Sequence, residues 1–267
     1  MATILVGSAQ EKFIVHQELL CSKSEYFAKA LTGTFEESQT GIVKLEDVSP
    51  FLFRIFVTWL YSGKLAYTVV DDSSNIDQDF GSLDGGFNPA IIKASDLNCE
   101  DVMTWPEQAF VALYILADRL DVKALRSTTI DILIEFFQEK RNSAMSAGTY
   151  RYINSNTTAA SPLRKLVLDR LIYGVRYSSE DLAFWKALPH DMVVTVLIEL
   201  ARRIPSELCS SCHSKKPSYN SIALDDDHSC KDKDTAPYKA DPCFYHEHAD
   251  EEEKKACRAR RNPVTFG

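Results

Sequence analysis

The N-terminal part of the chain changes hydrophobic period in a readable order. ATILVG is a short apolar run, SAQE supplies polar turn residues, and KFIVH resumes an apolar, β-branched run, which predicts a hairpin. From Gln17 the spacing becomes helical: Leu19, Leu20, Tyr26, Phe27, Ala30 and Leu31 share a face, Ser22 and Ser24 are candidate caps for a helix or its second half, and Gly33 is placed to stop it. IVKL from Ile42 predicts a short strand. EDVSPFLFRIFVTWLYSGK then carries a full helix signal, with Ser49 as N-cap, Pro50 at the first helical position, an apolar series at Phe51, Leu52, Ile55, Phe56, Trp59 and Leu60, and Gly63 as the stop. KLAYTVV reads as a further strand. The stretch from Phe13 to Leu65 thus predicts two strands and two helices packed as one unit, with more apolar than ionisable positions, a pattern for making a surface rather than for catalysis.

Beyond it the pattern changes in kind. Residues 71–106 are rich in Asp, Ser and Gly and poor in periodicity, as expected of an acidic insertion loop. Helical spacing resumes at Glu107 in EQAFVALYILADRLDVKALRSTTIDILIEFFQEK, which predicts two helices broken near Asp121. Two more are predicted after the NSNTT linker: SPLRKLVLDRLIYGVRY, opened by Ser161 and Pro162, and ALPHDMVVTVLIELARRIP, which ends before Pro205. From Ser206 aliphatic residues give way to Cys, His, Lys and Asp, so this tail is either disordered or held by something other than an apolar core.

Composition narrows the function classes. The 267 residues, 45% hydrophobic and 25% charged, are those of an ordinary globular protein of one or two domains. A formal net charge of −8 opposes nucleic-acid binding, because phosphate recognition needs clustered Lys and Arg, and the only dense basic cluster is Arg258 to Arg261. No apolar run approaches the roughly 20 residues of a membrane span, and MATILVGSAQEKF lacks the basic start and long apolar stretch of a cleavable signal. Seven cysteines, an odd number, with Cys21 and Cys99 far from the other five, fit reduced thiols better than a disulfide framework. The expectation is an intracellular protein, cytoplasmic or nuclear.

Val15-His16, Leu19-Leu20, Ser24, Tyr26-Phe27, Leu31, Phe35-Glu36-Glu37, Ile42 to Leu45, Pro50, Phe53, Phe56 and Trp59-Leu60-Tyr61-Ser62-Gly63 stand in an order and spacing that resembles the BTB/POZ domain. That family has a strand-end His followed by Leu, a Ser-x-x-Phe helix and a Tyr-x-Gly turn. The resemblance covers residues 3 to 135, with ALYILADRLDVKALR similar to the domain's closing helical pair. It implies an α+β fold over residues 1–135 interrupted by the acidic insertion 71–106, then an all-helical region over 140–205 and a Cys/His-rich tail over 206–267, a layout similar to fungal-type BTB proteins. It also implies protein–protein association through apolar and aromatic surface. The start close to the hairpin and the long insertion argue against the larger swapped dimers of some members, so the oligomer expectation stays open between homo- and heterodimer.

Two constellations are candidates for function. In BTB adaptors for cullin-based ubiquitin ligases a hydrophobic-x-Glu motif contacts the cullin, and Phe35-Glu36-Glu37 matches it in place, so Phe35 and Glu37 are the candidate partner contacts. The tail holds Cys209-x-x-Cys212-His213, Cys230, Cys243-x-x-His246-x-His248 and Cys257. Thiolate and imidazole suit zinc, and a pair of ligands two residues apart bites one ion through a tight turn. The expected structural zinc ligands are Cys209, Cys212, Cys243 and His246, with His213, Cys230, His248 and Cys257 as alternates, against an unligated tail. DDDHS and EEEKK place acids around these ligands and oppose a DNA-binding finger. The rival function is a transcription regulator with BTB-mediated association and a zinc-bearing tail. No nucleophile–base pair or phosphate loop stands out, GSLDGG lacking the flanks and the Lys-Ser/Thr ending of one, and no enzyme is expected. His16 is expected to be structural, as the resemblance also implies, and Trp59, Trp105 and Trp185 to be core.

Overall fold

The computed structural model describes residues 1–66, 101–139, 145–174, 182–203, 237 and 241–260. Strands β1 (Ala2–Val6) and β2 (Glu11–Val15) form the expected hairpin, pairing antiparallel with Ile4 opposite Phe13, and β3 (Ile42–Leu45) joins the other edge of β1 in parallel, with Ile4 opposite Val43. The order β2-β1-β3 makes β1 central. Alternation decides which face is inward: Ala2, Ile4, Val6, Val43 and Leu45 are buried, while Lys12, Ile14, Ile42 and Lys44 face outward. The hairpin turn needs Gly7, whose φ of +74° is left-handed and whose missing Cβ would stand 2.9 Å from Cγ of Pro50.

Helices α1 (Gln17–Lys23) and α2 (Glu25–Thr32) are separated at Ser24, which is extended and caps α2 by accepting from the Phe27 N–H. A short helix α3 (Glu36–Thr40) precedes β3, and α4 (Pro50–Ser62) follows it, with Ser49 accepting from the Leu52 N–H and Gly63 closing it at φ +71°. Seven of its side chains are buried, from Phe51 to Leu60. The centre of this unit is aromatic: Phe53 meets Phe13 edge-on at 5.0 Å, and Phe56 stacks on Phe27 at 6.5 Å. Of the expected strand after α4, Lys64–Ala66 are irregular and residues 67–70 lie outside the described residues, as do 71–100 of the acidic insertion.

The second half of the described chain is helical. α5 (Glu107–Arg119) and α6 (Lys123–Glu139) form the expected pair, broken where Asp121 takes a left-handed φ of +48°. α5 is central, with Ala109 to Tyr114 all buried and Trp105 stacked on Phe110 at 6.0 Å. α8 (Pro162–Gly174) and α10 (His190–Arg203) match the two later helical signals. α7 (Ala147–Asn156), running into what the polar NSNTT stretch suggested was linker, and the short α9 (Leu182–Ala187) were not expected. Ser146 caps α7 by accepting from the Thr149 N–H, and Tyr150 and Ile153 anchor it in the core.

Two further pieces end the described chain. A 3-10 turn, Pro242–Tyr245, seats Cys243 and Tyr245 in the interior, and the Tyr245 hydroxyl donates to Asp169 of α8 at 2.7 Å. Helix α11 (Glu251–Arg260) follows, capped by Asp250, which accepts from the Glu253 N–H at 2.7 Å, while Glu253 accepts in return from the Ala249 N–H at 2.6 Å.

Candidate functional site

Phe35 stands as the residue before α3, in extended backbone, and its carbonyl accepts from the N–H and hydroxyl of Ser38. These bonds hold the local turn while the ring points to solvent, 59% exposed. Glu36 is exposed and Glu37 half-buried in the first turn of α3, where carboxylates complement the helix dipole. This leaves an exposed aromatic ring beside two acids on the rim between α2 and β3.

His16 is tied into the fold. Its ring caps no helix end; Nδ1 lies 2.7 Å from the Tyr61 hydroxyl, which also accepts from the His16 backbone N–H at 3.0 Å, so this pair ties the end of β2 to the end of α4.

The C-terminal residues converge. Cys243, His246, His248 and Cys257 each offer one ligand atom, and the four atoms lie within 4.8 Å of one another, so they could hold a metal ion. Cys243 lies in the 3-10 turn, His246 and His248 follow it with ring centroids 5.8 Å apart and planes inclined at 71°, and Cys257 comes from α11. Nδ1 of His246 is 3.4 Å from Sγ of Cys257, and its Nε2 is 2.8 Å from a carboxylate oxygen of Asp131 on α6. The His246 side chain is 2% exposed. Nε2 of His248 is buried without a hydrogen-bond partner. Burial, then the neighbouring Cys257 thiol, pushes the Cys243 thiol up to about 11, and burial with the adjacent His246 lowers His248. Of the expected ligands, Cys243 and His246 are thus brought together with the alternates His248 and Cys257, whereas Cys209, Cys212, His213 and Cys230 lie outside the described residues.

Charges around the cluster seat the segment. Arg126 of α6, its side chain 11% exposed, is shared by Asp118 at 3.7 Å, Asp121 at 3.3 Å and Glu247, and Lys123 pairs with Glu253 at 3.2 Å. Asp131, Arg126 and Glu247 carry no sequence signal, because each acquires its role only when residues more than a hundred positions apart meet. A cleft of about 980 Å³ runs between this C-terminal segment and the α1–α2 corner, with Cys21 and Ser24 on one wall and Arg126, His246 and Cys257 on the other. Among the described residues no helix is long and apolar enough to cross a membrane.

The sequence matches known proteins over its first part. Residues 2–80 match the model of the BTB/POZ domain. The chain is 31% identical to Kelch-like protein 13 of Homo sapiens and of Bos taurus over 64 residues, 24% of this chain and 10% of theirs, and 30% identical over the same length to Kelch-like protein 13 of Mus musculus. The chain therefore spans about a tenth of the length of the curated relatives it matches. The three-stranded sheet, the aromatic core under α4 and the family match agree, and residues 2–80 of this chain are a BTB/POZ domain, a protein-interaction module.

Proposed function

We propose that this protein is a non-enzymatic, intracellular protein–protein interaction protein, and that its most concrete role is that of a substrate adaptor for a cullin-based ubiquitin ligase. On this reading the interaction domain extends to residue 135, with α5 and α6 closing it, and Phe35 and Glu37 touch the cullin. The observation that carries the reading is Phe35, an aromatic ring left 59% exposed beside Glu36 and Glu37, where Phe27, Phe51, Phe53, Phe56 and Trp59 are buried and Tyr26 and Tyr61 are exposed to a lesser extent. Exposed aromatic anchors concentrate binding energy when a partner covers them. The Kelch-like relatives support the reading through the shared domain alone. The helical region and C-terminal segment would carry the substrate, and association of two chains, alike or unlike, is compatible with the same domain.

The test is capture of cullins by the full chain against the Phe35→Ala, Glu37→Ala double variant. The expected outcome is capture by the wild type and a loss of about tenfold or more in the variant, because removing a hot-spot side chain costs about 2 kcal/mol or more. Equal capture by both removes these residues from the interface, and capture by neither removes the adaptor role.

A further inference from the structure

We infer that Cys243, His246, His248 and Cys257 bind one structural zinc ion, and that this ion is the clasp that fastens residues 241–260 to α6. The set differs from a Cys209/Cys212-based site, and its ligands come from one compact piece of chain in the pattern Cys-x2-His-x-His-x8-Cys.

Four observations carry it. First, the geometry suits the ion: ligands at the corners of a zinc tetrahedron, with Zn–S about 2.3 Å and Zn–N about 2.0–2.1 Å, stand about 3.3–3.8 Å apart. The His246 nitrogen and Cys257 sulfur are 3.4 Å apart, and the widest pair of the four is within 4.8 Å, so closing the set takes about 1 Å of side-chain movement. Second, the outer partner is in place. Asp131 holds Nε2 of His246 at 2.8 Å, which leaves Nδ1 turned to the sulfur and the ion, the carboxylate–histidine–metal arrangement that sets tautomer and ring orientation. Third, Nε2 of His248 is buried with no hydrogen-bond partner, a costly state that a metal bond removes. Fourth, the segment has no apolar means of staying docked along α11, whose described residues are all exposed or half-buried and mostly charged. Polar ends of this kind are fastened by metal when a core is lacking.

Chemistry supports zinc in particular. Binding displaces one proton from each thiol, and the two thiolates with two neutral imidazoles balance the 2+ charge within the ligand set, which suits a buried site. All four positions are protein ligands, so none is open for water or substrate and the site is structural rather than catalytic. Fastening this segment also fixes Glu247 on Arg126 and Glu253 on Lys123, and so one wall of the cleft that faces the α1–α2 corner of the BTB/POZ domain. The inference does not depend on a cullin partner.

The experiment is elemental analysis of the full chain, purified under reducing conditions and desalted, for the wild type, Cys243→Ser/Cys257→Ser and Cys209→Ser/Cys212→Ser. The wild type is expected to hold about one zinc more than the first variant, and the second to keep that zinc. Should the first variant misfold, the wild type still decides: cobalt loaded in place of zinc is expected to give the absorption of a tetrahedral two-sulfur, two-nitrogen site, and chelation to open Lys254, Lys255 and Arg258 to trypsin ahead of the N-terminal domain. Asp131→Asn, a positioning change, is expected to weaken zinc retention about tenfold or more with the far-ultraviolet circular dichroism unchanged. Less than half an equivalent after zinc reconstitution, loss of the same zinc in Cys209→Ser/Cys212→Ser, retention in Cys243→Ser/Cys257→Ser, or a Cys243–Cys257 disulfide in the reduced preparation overturns the site.

Discussion

Ser24 shows how much a single small residue can carry. It is buried, accepts from the Phe27 N–H at 3.2 Å as the cap of α2, and donates its own hydroxyl proton to the Leu120 carbonyl at 2.5 Å, joining the N-terminal unit to the α5–α6 turn. Ser24→Ala leaves a helix N–H and a carbonyl without their partner, and is expected to cost about 1–2 kcal/mol, read as a lowered urea midpoint at unchanged slope. The cap was legible in the sequence; the bond to Leu120, 96 positions away, was not. Asp47 offers a pH handle. The Arg119 guanidinium at 2.5 Å holds its carboxyl below the usual carboxylate value, so the pair's stabilisation is present above the unfolded value near about pH 4 and is lost as pH falls through the folded one. Both side chains are substantially exposed, so the effect is small: Asp47→Asn is expected to lower Tm slightly at pH 7, with the difference from wild type narrowing below about pH 4 in a pH series of thermal melts.

At the scale of elements, the contrast between α4 and α11 explains which helices the sequence shows. α4 has a Ser-Pro start, a Gly stop and an apolar series that ends up buried, so local rules and packing agree. α11 has its own cap box and acids in the first turn, with i,i+3 pairs of Glu252 with Lys255 at 3.0 Å and of Glu251 with Lys254 at 3.9 Å, but no apolar stripe, and hydrophobic periodicity passes over it. α7 is obscured in the same way, because its inward residues, Thr149, Tyr150 and Ile153, include a buried threonine that reads as polar. Gly7 tests the hairpin: Gly7→Ala puts a Cβ against Pro50 in left-handed backbone and is expected to destabilise by about 1–3 kcal/mol in a denaturant melt. A Gly63→Ala change also meets left-handed backbone but open space around the added Cβ, and its cost is expected to be the smaller of the two.

For the whole molecule, the described contacts join the N-terminal sheet and helices to α5–α6 through Ser24 and Arg119, and join α6 to the C-terminal segment through Arg126, Lys123 and Asp131. Both junctions have polar ties beside the shared apolar core, but α11 itself is held by polar and charged groups while α5 is buried in that core, so the two respond differently to conditions. Raising salt towards about 1 M shortens the screening length to about 3 Å. In chelated protein this is expected to speed amide exchange in residues 251–260 while leaving α5 unchanged, and in zinc-loaded protein the acceleration is expected to be much smaller, as measured by hydrogen exchange with mass spectrometry.

The sequence by itself determined the hairpin, the Ser49–Gly63 helix and the pair broken near Asp121, because each is written in neighbouring residues through periodicity, caps and stops. It offered Ser22 and Ser24 as caps, and the order of its landmarks carried the resemblance to the BTB/POZ domain that residues 2–80 match. It also marked Phe35 and Glu37 and all eight candidate metal ligands. Only the tertiary structure left the Phe35 ring exposed on the α3 rim, made His16 a partner of Tyr61, and gathered Cys243, His246, His248 and Cys257 against Asp131, 115 positions from His246. Ligand spacing is compatible with several sets of four, since any pair of Cys or His two or three residues apart can bite a metal. Which set closes is decided by where the segment docks, and that depends on charges and carboxylates of α6 that no local pattern connects to the tail.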